Sequence, residues 1–138
     1  MSLFKNPERA KQLVDFSGLN VEGTSIYPSD LDFILELWDV GYMFGEFKYK
    51  GKEVERGQDL YLTRIVRATE KADKFTISFV ADHYVSDTHE MIPADKCIVR
   101  KYMFTGIYTW LYPKEKTTIK ELQDWFVQKC RFKKQYKN

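Results

Sequence analysis

PSDLDFILELWDVGYMFGEFKYKG, residues 28–51, decides how this chain is read. Phe33, Leu35, Tyr42 and Phe44 are residues that a strand buries, yet Asp30, Asp32, Glu36, Glu46 and Lys48 stand among them. Charged groups on a covered strand face cost free energy unless they are paired or put to use. They therefore line a solvated sheet face or form a site. Residues 31–37 and 42–49 each have strand length and strand composition. Between them Asp39-Val40-Gly41 reads as a three-residue hairpin loop, with Gly41 supplying a left-handed backbone.

Side chains on a strand alternate faces, so Asp30, Asp32, Ile34 and Glu36 point one way, and Phe44, Glu46 and Lys48 share a face of the second strand. With that loop Trp38 pairs with Tyr42. Asp32 then falls opposite Lys48, Ile34 opposite Glu46, and Asp30 opposite Lys50. Asp32 and Glu46 become diagonal neighbours, their Cβ atoms within roughly 7 Å. A one-residue slip would carry Asp32 to the other face.

Two carboxylates that close call for a cation between them, and Lys48 or a divalent metal meets the need. Mg²⁺ takes hard oxygen ligands, one or two of them carboxylates, and fills its shell with water and substrate phosphate. Metal binding acidifies water, while a nearby lysine orients that water or offsets charge on phosphoryl oxygens. Asp, Glu and Lys so placed suit metal-assisted phosphodiester hydrolysis. The plain alternative is a surface charge pair worth under ~1 kcal/mol. Glu-x-Lys by itself carries little weight in a chain rich in both letters.

The rest of the chain supplies a setting. Its 138 residues suggest one domain, and 43% apolar with 16% aromatic residues is enough for a core. No apolar run approaches the ~20 residues of a membrane span, and the N-terminus lacks the apolar stretch of a secretion signal. Cys97 and Cys130 match no metal spacing, so a reduced, cytoplasmic protein is expected (host cytoplasm if phage-encoded). Net charge is only +2, but KCRFKKQYK, residues 129–137, closes the chain as a basic tail. That cluster reads equally as a frayed, solvated end and as a polyanion contact.

NPERAKQLVDF predicts a first helix, with Asn6 as cap, Pro7 in the first turn, and Leu13, Val14 and Phe16 packing inward. SGLNVEGTSIYPS is a loop. QDLYLTRIVRATEKA has helical spacing, residues 75–81 and 97–104 read as strands, and GIYTWLYP as a further short strand. TTIKELQDWFVQKC is an amphipathic helix capped by Thr117 or Thr118. The order helix, strand, strand, helix, strand, strand, further short strand, helix predicts an α/β fold with a central mixed β-sheet flanked by helices.

Asp32-Phe-Ile-Leu-Glu-Leu, then Gly-Tyr-Met-Phe-Gly-Glu46-Phe-Lys48, a polar loop and a helix beginning GQDLYL together resemble the PD-(D/E)XK nuclease superfamily. Within it the chain is most similar to small phage or bacterial Holliday-junction-resolvase-like nucleases. The likeness runs from about Pro28 to Ala81, and to the first helix. It implies a restriction-endonuclease-like core of α-β-β-α-β order and an Mg²⁺-dependent deoxyribonuclease, with Mn²⁺ able to substitute. By the same likeness Asp32 and Glu46 are the metal ligands, Lys48 the catalytic lysine, and Gln58 a polar support on the following helix. Asp30 competes with Asp32, which fits better because it lies further into the strand. Relatives that carry the helical Gln often have Tyr four residues on; here Leu62 holds that place and Tyr61 comes one earlier. Leu31 rather than Pro precedes Asp32, and Glu8 is the candidate for an assisting acid on the first helix.

Lys50, Lys52 and Arg56 follow Lys48 and are candidate DNA-backbone contacts. His83 and His89, with Asp82, Asp87 and Glu90, sit in a polar segment whose spacing fits no ordered metal site. Tyr102, Tyr108, Trp110 and Tyr112 suit base stacking, but aromatic residues more often fill a core or an interface. DNA is the expected partner, without a membrane, and a homodimer is a reasonable assembly for a chain this small. The alternative function is a non-catalytic DNA-binding or assembly protein of the same fold.

Overall fold

The computed structural model describes residues 13–136, which belong to two compact units, 1–30 and 31–138. Asn6 to Gln12, and Glu8 with them, lie outside the described residues. In the first unit Leu13 to Phe16 are irregular, and Leu13 is 97% exposed. Leu13 and Val14 thus do not pack inward as expected. The Asp15 carboxylate instead accepts the Ser17 N–H at 2.9 Å and opens a 3-10 turn, Ser17–Leu19.

The second unit is an α/β layered fold. Strand β1, Phe33–Leu37, and β2, Gly41–Tyr49, form an antiparallel hairpin. Helix α1, Arg56–Glu70, carries the chain back so that β3, Phe75–His83, lies parallel to β2. Strand β4, Ile98–Phe104, adds antiparallel to β3, and helix α2, Ile119–Gln135, closes the chain. The sheet order is β1-β2-β3-β4, mixed as expected. No helix among the described residues is long and apolar enough to cross a membrane.

Each sheet face has its own helix. Met43, Ile77, Phe79, Ala81 and Val99 meet Ile119, Leu122, Phe126 and Cys130 of α2 in the larger core. Phe44 and Val80 meet Leu62 of α1 in the smaller one. β3, covered on both sides, is buried from Thr76 to Asp82, as the inner strand of a parallel pair should be. Thr118 caps α2 in a capping box with Glu121, which settles the choice between Thr117 and Thr118. The basic stretch from Lys129 to Lys134 is the end of that helix. GIYTWLYP is no strand; only Leu111 bridges to Tyr102.

The hairpin register differs from the expected one by two residues. Leu37 pairs with Gly41 and Glu36 with Tyr42, so the loop is Trp38-Asp39-Val40. Trp38 and Asp39 hold the left-handed backbone, with φ of 50° and 57°, and Val40 N–H closes the turn on Leu37 C=O at 2.9 Å. That is the sign pattern of a type I′ turn. Val40 is drawn into the core, which moves the turn back along the chain. Gly41 starts β2 for a different reason: a Cβ there would run into Cys130 Sγ and the Phe75 carbonyl.

Candidate active site

A two-residue slip keeps the side-chain faces, so the acids still meet. Phe33 pairs with Gly45, and the next position outward sets Asp32 opposite Glu46 rather than opposite Lys48. The pairing of Ile34 with Glu46 is likewise replaced by Ile34 with Phe44. Asp32 Oδ2 accepts the Phe47 N–H at 2.9 Å, so its carboxylate continues the ladder where β1 ends. Asp30 falls in the first unit and is exposed.

Glu46 is 2% exposed, on the β2 face that α1 covers. Its carboxyl accepts a short hydrogen bond from the Tyr61 hydroxyl and a longer one, 3.4 Å, from Gln58 Nε2. The other end of the Gln58 amide, Oε1, accepts from Lys48 Nζ at 2.6 Å. One amide thereby links the ammonium to the carboxyl. Burial pushes the Glu46 pKa up from 4.5 to about 7, and a hydrogen bond and the charge of Asp32 push the same way; Tyr61 and Lys48 pull it back only in part.

Asp32, Glu46, Lys48 and Gln58 are therefore brought together. Tyr61 was not foreseen as a member. Residues three apart share a helix face as surely as residues four apart, so Gln58 and Tyr61 both reach β2 while Leu62 turns into the core. The i+3 spacing was the available signal. The donor set fits a divalent cation: two hard carboxyl groups in contact, one buried and reluctant to ionise without positive charge beside it. Among the described residues no group of three or more His, Cys, Asp or Glu is suited to a metal.

Lys50, Lys52 and Arg56 are exposed and, among the described residues, form no ion pair. The turn that carries the two lysines is tied down from behind. Gly51 N–H donates to Asp82 Oδ1 at 3.0 Å, and Lys50 N–H to His83 C=O at 3.0 Å. Arg100 grips both oxygens of Asp82 and also donates to Lys52 C=O at 2.8 Å. A β-bulge at Arg100, where Val80 pairs with Lys101 but Ala81 with Val99, aims the guanidinium at Asp82.

The remaining sequence candidates take structural places. Asp82 is held by Arg100, and His89 pairs with Asp87 at 3.3 Å. Trp110 packs on the smaller core beneath Lys101, whose ammonium pairs with Asp59 at 2.9 Å. Tyr108 donates to Glu70 at 3.1 Å. Cys97 and Cys130 are buried free thiols, the Cys130 pKa pushed by burial to about 11. No protein-family model, curated protein or solved structure matches this chain.

Proposed function

We propose that this chain is a metal-dependent deoxyribonuclease of the PD-(D/E)XK kind. The observation that carries the reading is Glu46: a buried carboxyl facing a second carboxylate, linked through one amide to a lysine. Packing alone gives no reason to bury one acid against another.

Asp32 and Glu46 would hold Mg²⁺ or Mn²⁺. When bound, the cation supplies positive charge for the phosphoryl oxygens and acidifies the attacking water. The Phe47 N–H fixes one carboxylate, and Tyr61 with Gln58 orients the other. Gln58 holds the Lys48 ammonium by one hydrogen bond, leaving its other protons for the attacking water or a phosphoryl oxygen. Lys50, Lys52 and Arg56 contact the DNA backbone from the turn and helix start beyond Lys48. The place of action is the cytoplasm.

Because Glu46 must ionise to bind a cation, metal affinity rises with pH up to about 7. Glu46→Ala and Lys48→Ala are each expected to slow DNA cleavage in Mg²⁺ or Mn²⁺ by about a hundredfold or more. Undiminished cleavage in either variant ends the assignment. Metal titration separates this reading from a non-catalytic DNA-binding protein, which would retain DNA yet bind no Mn²⁺ at Asp32 and Glu46.

A further inference from the structure

The C-terminal half of α2 carries Lys129, Arg131, Lys133 and Lys134 and no acid. A helix C-terminus favours one or two cations against its dipole, and only within the last turn. Four cations from Lys129 to Lys134, a stretch that begins before the last turn, exceed that need. Lys133 is neutralised by Asp73 at 3.0 Å, whereas Lys129, Arg131 and Lys134 form no ion pair among the described residues.

Aromatic rings stand between these cations. Phe132 is 63% and Tyr136 67% exposed, their centroids 4.7 Å apart, and Trp38 at the hairpin turn is 42% exposed. Lys134 lies 5.0 Å over the Trp38 ring and Lys129 5.6 Å over Trp125. Trp125, Phe132, Lys129, Lys133 and Lys74 line an open groove of about 650 Å³ beside the helix, with Glu70 and Asp73 also on its wall. None of this belongs to the carboxylate site. Gly41, where β2 meets α2, precedes Glu46 by 46 − 41 = 5 residues, about 17 Å of strand. Glu46 also faces α1, on the other side of the sheet.

From these cations and rings we infer that the outward surface of the C-terminal half of α2, with Trp38 beneath Lys134 on its flank, binds single-stranded nucleic acid. Unpaired bases stack on the exposed rings while the lysines and Arg131 follow the phosphates. A duplex hides its base faces and would use only the charges. A second copy of the chain is a poor occupant, since a twofold contact over this patch sets like charges against each other. A membrane is a poor one too, because the broad apolar face of α2 is already spent on the sheet.

The inference is independent of the nuclease reading, and its test is run without metal. Binding of labelled oligothymidine and oligouridine is followed by fluorescence anisotropy in chelator, beside a duplex of equal length. Both single strands are expected to bind more tightly than the duplex, and the difference between them reports whether DNA or RNA is preferred. Replacing Phe132→Ala together with Tyr136→Ala, both largely exposed, should weaken single-strand binding about fivefold or more and leave the circular dichroism unchanged. Lys129→Ala with Lys134→Ala should flatten the salt dependence by roughly 0.7 per lysine. Single-strand affinity unchanged in the ring variant, or duplex affinity lowered by that variant as much as single-strand affinity, overturns the inference. So does binding to phosphatidylserine vesicles in place of the oligonucleotides.

Discussion

Glu46 concentrates the electrostatic cost of the site in one side chain. The folded protein keeps its proton up to about 7, whereas the ordinary value is 4.5. Between those two values the native chain holds a proton that the unfolded chain has released. Its share of stability is therefore full below 4.5 and is lost as pH rises through about 7. The loss is on the order of 3 kcal/mol. Metal-free protein is accordingly expected to melt at a lower temperature at about pH 8 than at about pH 5, with Glu46→Gln removing most of that difference. Thermal melts in chelator at the two pH values check it; a slope identical in the variant would place the titrating group elsewhere. The letters of Asp32, Glu46 and Lys48 and the alternation of strand faces were enough to select these three residues, whereas Gln58 came only from the resemblance. The depth at which Glu46 sits was not legible, because it comes from α1 and β3 closing over it.

At the level of elements, the four strands and the two long helices could be read from period and punctuation, while register and the lack of a strand at GIYTWLYP could not. Asp39-Val40-Gly41 carries the residue types of a turn, and the chain turns one residue earlier because Val40 serves the core. Gly41 has the look of a turn glycine and is instead a point of close approach for Cys130 and the Phe75 backbone. Gly45 repeats that role four residues further along β2, where a Cβ would enter the ring of Phe79, which is fully buried. Gly45→Ala is therefore expected to cost about 1–3 kcal/mol by overpacking, although alanine suits a strand at least as well as glycine. Denaturant unfolding measures it. Since Gly45 adjoins Glu46 on β2, the same variant should also weaken Mn²⁺ binding; an unaltered midpoint would mean that the Phe79 ring has room to yield.

For the whole molecule the decisive long-range tie is Asp82 with Arg100. It joins β3, β4 and the turn after Lys48, and nothing in the local sequence announces it, because the bulge that aims Arg100 exists only once β4 has paired. Asp82 is buried, so removing its partner leaves a charge with too little compensation. Arg100→Met is expected to cost about 3 kcal/mol, and Arg100→Met with Asp82→Asn less than that, since the pair is lost as a unit. A double-mutant cycle by denaturant unfolding gives the coupling; simple additivity would show that the turn is held by its backbone alone. In the sequence Asp82 stands only in a polar segment that fits no ordered metal site, and no local pattern marks Arg100 as its partner.

One further consequence lies in how the chain is apportioned. Asp32, Glu46, Lys48, Gln58 and Tyr61 come from one uninterrupted run, 32 to 61, whereas the rings and cations of α2 lie between 125 and 136. Trp38, seated under Lys134, is the one ring of that surface that lies within the first run. Apart from it, mutations in the two runs are free to accumulate on separate schedules.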